Sequence, residues 1–142
     1  MLSNTAQRPE ALTTTIHRLG EVAVLTLTGR LDTRSPFVAG QSVERALGHI
    51  DACLANRPRA IIVDLLGAEP TRFVVSLLGL VRRRAERLAV PLVLTAPTAF
   101  RELLEEIQVA ALYSIHPSLS VALERAHGAT EVEPHTAAVG VA

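Results

Sequence analysis

"IIVDLLGAEPTRFVVSLLGLV" (residues 61–81) is the stretch on which the fold turns. With Ala60 in front of it, it opens on a continuous Ile/Val/Leu run broken only by Asp64. Such a run marks a strand covered on both faces, usually central and often parallel. From Val74 the apolar residues return at helical spacing, and a helix is predicted from Val74 to Leu88. Between strand and helix lies the connector Gly67 to Phe73, at the carboxyl end of the strand, where open α/β proteins gather ligands and reacting groups. Here that place holds Pro70 and Phe73, where small polar residues are usual.

Upstream, Thr13–Leu19 alternates and "VAVLTLTG" (22–29) is rich in Val and Leu among threonines. With Gly20-Glu21 as the turn, the two predict a hairpin. Ser35-Pro36 reads as an N-cap with proline at the first helical position, and Val43, Ala46, Leu47 and Ile50 form one stripe of a helix over Phe37–Leu54. Downstream, "RRRAER" ends a helix with cations, Pro91 stops it, and "LVLTA" is a short buried strand. Thr98 is placed as the cap of "AFRELLEEIQVAAL", "YSIH" as an edge strand, and Ser118 as the cap of "LSVALERAH". The order β-β-α-β-α-β-α-(β)-α predicts one α/β domain over residues 13–127. Its mixed sheet would have four or five strands with helices packed against it. Residues 1–12 and 128–142 lack periodicity and are expected to be flexible ends.

Composition narrows the function. At 142 residues one domain can bury a real core without disulfides or metals. Aromatics are 3% and net charge is zero, which favours neither a stacking surface for single-stranded nucleic acid nor a polyanion as partner. All 14 basic residues are arginine, so a Walker phosphate loop and Schiff-base chemistry both lack their lysine. The one cysteine, Cys53, excludes a disulfide framework and suits a reducing compartment. The first 15 residues are polar and contain Pro9, unlike a signal peptide, and no apolar run reaches the length of a membrane span. The expectation is a cytoplasmic protein without direct nucleic-acid contact, cofactor or metal.

Four segments in register resemble the STAS domain family, whose best-known members are bacterial anti-sigma factor antagonists. "VLTLTGRLDT" (24–33) is similar to the family's strand followed by Gly-x-Leu-Asp. "RAIIVDLLGA" (59–68) is similar to its basic residue, apolar strand and Val-Asp-Leu-x-Gly segment. "RRRAERLAVPLVLTAPTAFRELLE" (82–105) matches the arginine-rich helix end, next strand and following helix, and "LYSIHPSLSVALERA" (112–126) matches the terminal pattern. By residue chemistry, Gly29 permits a backbone that other residues resist, and Asp32 and Asp64 can turn their carboxylates back onto loop amides. These three read as makers of turns.

The resemblance implies a site as well. In phosphorylated relatives the connector after the central strand ends in Asp-Ser-Ser-Gly, whose first serine is the kinase target. Counted without a gap from Asp64, those positions fall on Arg72, Phe73, Val74 and Val75, and all four depart. Thr71 and Ser76 are the nearest alternative hydroxyls, and neither has the acidic and glycine context. A phosphate adds about −1.5 to −2 charges and disrupts an apolar docking surface, so a serine there makes docking switchable and a phenylalanine makes it permanently apolar. Phe73 has two readings at this point, a ring folded under the helix as core or an exposed anchor.

The function implied is a non-enzymatic regulator that binds a kinase-like anti-sigma factor and so controls a sigma factor. Its expected surface is Asp32, Thr33, Arg34, Ser35, Gly67, Glu69, Arg72, Phe73, Val74 and Leu77. A homodimer stays open. The alternative is a small-ligand sensor for a nucleotide or lipid, or a subunit of a larger signalling or transport assembly, with Arg72 as its main cation. The five histidines have no metal spacing, Glu102, Glu105 and Glu106 read as a solvated helix face, and no serine has a base placed beside it by sequence.

Overall fold

A computed structural model of the chain describes residues 12–30 and 36–127. Along them run β1 (Thr13–Leu19), β2 (Val22–Gly29), α1 (Pro36–Ala55), β3 (Ala60–Ala68), α2 (Arg72–Arg87), β4 (Leu92–Thr95), α3 (Thr98–Ile107), β5 (Ser114–His116) and a last helix, α4, over residues 119–127. The predicted element order holds throughout. The five strands form one mixed sheet in the order β1-β2-β3-β4-β5, with β1 antiparallel to β2 and every other neighbour pair parallel. As its apolar run predicts, β3 is the central strand, and Ala60 to Val63 are fully buried.

The strand order never reverses, so right-handed crossovers throw successive helices onto the same face of the sheet. The packing follows. Leu25, Leu27, Ile61, Val63, Leu65 and Leu94 meet Ala46 and Ile50 of α1, Val74, Leu77, Leu78 and Val81 of α2, and Phe100 and Leu104 of α3. The alternate strand positions, Val22, Val24, Ala60, Ile62 and Val93, face the other way onto Ala122 and Ala126 of α4. Over the described residues the chain therefore changes faces once, after β5.

Several boundaries differ from those predicted. β3 extends two residues further, to Ala68, because Gly67 and Ala68 still pair with Thr28 and Gly29. α2 starts earlier, at Arg72, because the Thr71 hydroxyl accepts the Val74 amide at 3.2 Å and caps it. The connector shrinks from seven residues to Glu69, Pro70 and Thr71. Thr98 does not cap α3: Pro97 holds that position without a side-chain bond, and Thr98 is the first helical residue. α3 stops at Ile107, where Gln108 turns left-handed (φ 69°), and Ala110–Leu112 is a separate 3-10 turn. Ser118 does cap α4, accepting the Val121 amide at 3.2 Å. Leu12, expected in a flexible end, is buried in the main core. Residues 1–11 and 128–142 lie outside the described residues.

Two pairs of substitutions test these local causes. Gly29 has φ 92°, where an L side chain is strained, whereas Gly40 in α1 has open space where a Cβ would stand. Gly29→Ala is expected to cost about 1–2 kcal/mol, and Gly40→Ala to gain about 0.5–1 kcal/mol, both measured by urea unfolding. Thr71→Ala is expected to lose about 1 kcal/mol, while Thr71→Asp, which can still cap, stays within about 0.5 kcal/mol of the parent.

Candidate docking site

The carboxyl end of β3 is shaped by a bulge. Thr26 pairs with Asp64 and Thr28 with Gly67, so Leu65 and Leu66 together stand opposite Leu27. The Asp64 carboxylate accepts the Leu66 amide at 3.0 Å, which fixes the extra residue in place. Leu65 stays in the core, and Leu66 is pushed outward to 46% exposure. Gly67 must remain small, since a Cβ there would lie 3.0 Å from the Thr28 methyl carbon. Beyond the bulge the Glu69 amide donates to the Gly29 carbonyl at 2.9 Å, and the Arg30 guanidinium meets the Glu69 carboxylate at 3.2 Å. Both partners of that ion pair are exposed, so it contributes under about 1 kcal/mol and acts mainly to join the two connectors.

The start of α2 answers what Phe73 does. Arg72 and Phe73 are the first two helical residues, and the Phe73 ring is 54% exposed, equal with Leu112 as the most exposed large apolar side chain among the described residues. The core reading is therefore wrong. Val74, Leu77, Leu78 and Val81 form the stripe that faces the sheet, and Phe73 lies at the flank of that stripe in the open first turn, where no preceding turn of helix covers it.

The expected surface is thereby corrected in part. Val74 and Leu77 are 0% and 1% exposed, so they are unavailable to a partner, and truncating Leu77 would open a cavity costing about 2–5 kcal/mol. Val75 is half-buried. Gly67, Glu69, Arg72 and Phe73 are exposed around the short connector. Asp32, Thr33, Arg34 and Ser35 lie outside the described residues. Of the two alternative hydroxyls, Thr71 is engaged as the cap and Ser76 is exposed on the second turn of α2. Leu66 and Arg30 also belong to this surface and were missed. The signal for Leu66 was the pair Leu65-Leu66 between Asp64 and Gly67, since strict alternation cannot bury both.

A shallow depression of about 380 Å³ is lined by Gly29, Arg30, Leu66, Gly67, Ala68 and Glu69. Its cation, Arg30, is neutralised by Glu69, and Arg72 is not among its walls. α1, α2 and α3 all leave the sheet on one face, so the ends of β2, β3 and β4 form an even rim. A ligand crevice needs neighbouring connections that part to opposite sides.

Elsewhere, the arginine-rich end of α2 is occupied by ordinary surface pairs: Arg82 with Glu86 at 2.8 Å and Arg84 with Asp51 at 2.9 Å. Cys53 is buried, and burial pushes its thiol pKa up, against the opposing charge of Arg18. No described helix is long and apolar enough to cross a membrane.

No family model matches the sequence, and no curated protein does. Solved structures do. An anti-sigma factor antagonist from Mycobacterium paratuberculosis superposes with a TM-score of 0.65 at 21% identity, covering 84% of this chain and 97% of that one. A chain from the molecular architecture of the stressosome, a signal integration and transduction hub, gives a TM-score of 0.65 at 19% identity, covering 80% of this chain and 96% of its own. The likeness is one of architecture and spans nearly the whole of both neighbours: this chain has the STAS fold.

Proposed function

We propose that this chain is a non-enzymatic, cytoplasmic regulator of the anti-sigma factor antagonist type. It docks a kinase-like anti-sigma factor through the β3–α2 connector, and it does so without the serine phosphoswitch. The observation that carries this reading is the exposed Phe73 ring beside Arg72 at the start of α2, with Leu66 exposed at the bulged end of β3. The architecture shared with an anti-sigma factor antagonist supports it.

The energetics favour docking that is always available. An apolar ring held half out of a folded surface gains about 1–1.5 kcal/mol when a partner completes its burial, and aromatic residues flanked by arginine tend to dominate interfaces. A phosphoserine at the same place would bring a charge that must be desolvated. With phenylalanine there that position cannot be charged by a kinase, so occupancy would follow the concentrations of the two proteins.

Phe73→Ser is expected to weaken binding of the kinase-like anti-sigma factor by roughly five- to ten-fold in a titration. Its unfolding stability should stay within about 0.5 kcal/mol of the parent, because the ring is mostly in water. Unchanged affinity would sink the proposed anchor. Incubation of the parent chain with kinase and ATP is expected to leave its intact mass unchanged. A phosphate found on Thr71 or Ser76 would show that the switch has moved rather than gone.

A further inference from the structure

The two edges of the sheet differ. At one edge β5 runs only from Ser114 to His116, and so short a strand offers little to pair with. At the other, β1 runs for seven residues, pairs with β2 without a register shift, and has no described strand on its free side. It has neither the proline nor the bulge that usually blunts an open edge, and its one formal charge is Arg18. Thr13, Thr15, His17, Arg18 and Leu19 are exposed along it. The outward amides and carbonyls of such a strand form a row that another extended backbone matches.

Beside this edge lies a groove. Side chains alternate along a strand, so Thr14, Ile16 and Arg18 share the face that meets α1. The Thr14 hydroxyl bonds His49 Nδ1 at 2.8 Å and ties the strand to the helix. Next to that tie a groove of about 390 Å³ opens between them, lined by Ile16, Arg18, His49, Ala52, Cys53 and Asn56. Ile16, Ala52 and Cys53 make it apolar.

The charge around the groove has one sign. Arg45, His49, Ala52 and Asn56 recur at helical spacing along the flank of α1 that borders it, and none is an acid. Neither Arg18 nor Arg45 has an ion-pair partner among the described residues. The acids of α1 are turned away: Asp51 pairs with Arg84 of α2 at 2.9 Å, and Glu44 lies about 140° around the helix from His49. Glu21, past the end of β1, is engaged by Arg59 at 3.0 Å. A second copy paired along this edge would bring its own Arg18 and Arg45 to the same seam, so the charge favours a partner of opposite sign.

We propose that the β1 edge is a second docking site, which takes an extended acidic segment of a protein partner as an added strand. Backbone bonds along β1 supply the affinity, and side chains supply the selectivity. On the added strand, residues two apart share a face. When an apolar side chain enters the groove beside Ile16, its neighbours on that face lie beside Thr14 and Arg18, and an acid there meets an unpaired guanidinium. The site shares no residue with the rim around Phe73, so either can fail without the other.

The test titrates the full chain with the capped peptide Thr-Glu-Thr-Val-Thr-Glu-Thr, followed by amide NMR shifts, with Thr-Arg-Thr-Val-Thr-Arg-Thr as the control. The pattern is symmetric, so a glutamate lies beside Arg18 in either strand direction. Saturable shifts are expected along β1 and at His49, with slower exchange of the outward β1 amides. The acidic peptide is expected to bind about ten-fold tighter than the basic one. The double variant Arg18→Glu, Arg45→Glu changes two exposed positions, so it is expected to keep the fold and reverse that preference. The proposal is overturned by the absence of a saturable shift in β1, by equal binding of the two peptides, or by a preference that the double variant leaves unchanged. Outward β1 amides that exchange slowly before any peptide is added would also overturn it. They would show the edge already covered, by a second copy if the slowing grows with concentration.

Discussion

The Asp64 carboxylate folds back onto the Leu66 amide at 3.0 Å, and most of what surrounds the docking surface depends on that contact. It pins a two-for-one bulge in the middle strand of the sheet, which keeps Leu65 in the core and pushes Leu66 outward. The register resumes only because Gly67 lets Thr28 come close and Gly29 takes a backbone angle that other residues resist. The resumed pairing carries β3 on to Ala68. That leaves three residues before α2, too few for a flexible loop, and so the start of the helix is held rigidly against the sheet end. Phe73 is exposed on a fixed scaffold rather than on a mobile loop. Preorganisation of this kind lowers the entropy a partner must overcome on docking.

Topology shapes the docking surface. Three crossover helices on one face make the carboxyl ends of β2, β3 and β4 an even rim, a shape suited to another protein's surface. The rim combines exposed Leu66 and Phe73 with an Arg30–Glu69 pair that cancels its own charge.

Most of the architecture was legible in the sequence because its signals are periodic. The aliphatic run of β3, the threonine alternation of β1 and β2, and the spacing of Phe100 and Leu104 each report a face to be buried, and all found their places. What escaped was set by contacts between distant segments. The bulge depends on how β3 registers with β2: the pair Leu65-Leu66 signals that one of the two is exposed, but which one, and how far β3 runs beyond it, is set by the pairing with Thr28 and Gly29. The helix starts at Arg72 rather than Val74, which puts Phe73 in its open first turn, at the flank of the buried stripe. Thr71 stood at the right place for a cap, and taking that signal would have shown it.

Hydrogen exchange of the chain, alone and with a kinase-like anti-sigma factor, tests most directly whether the β3–α2 rim is the docking surface. New protection confined to the end of β3, the connector and the first two turns of α2 is the result expected. Protection centred on the β5–α4 end or on the β1 edge, with the rim unchanged, would contradict it.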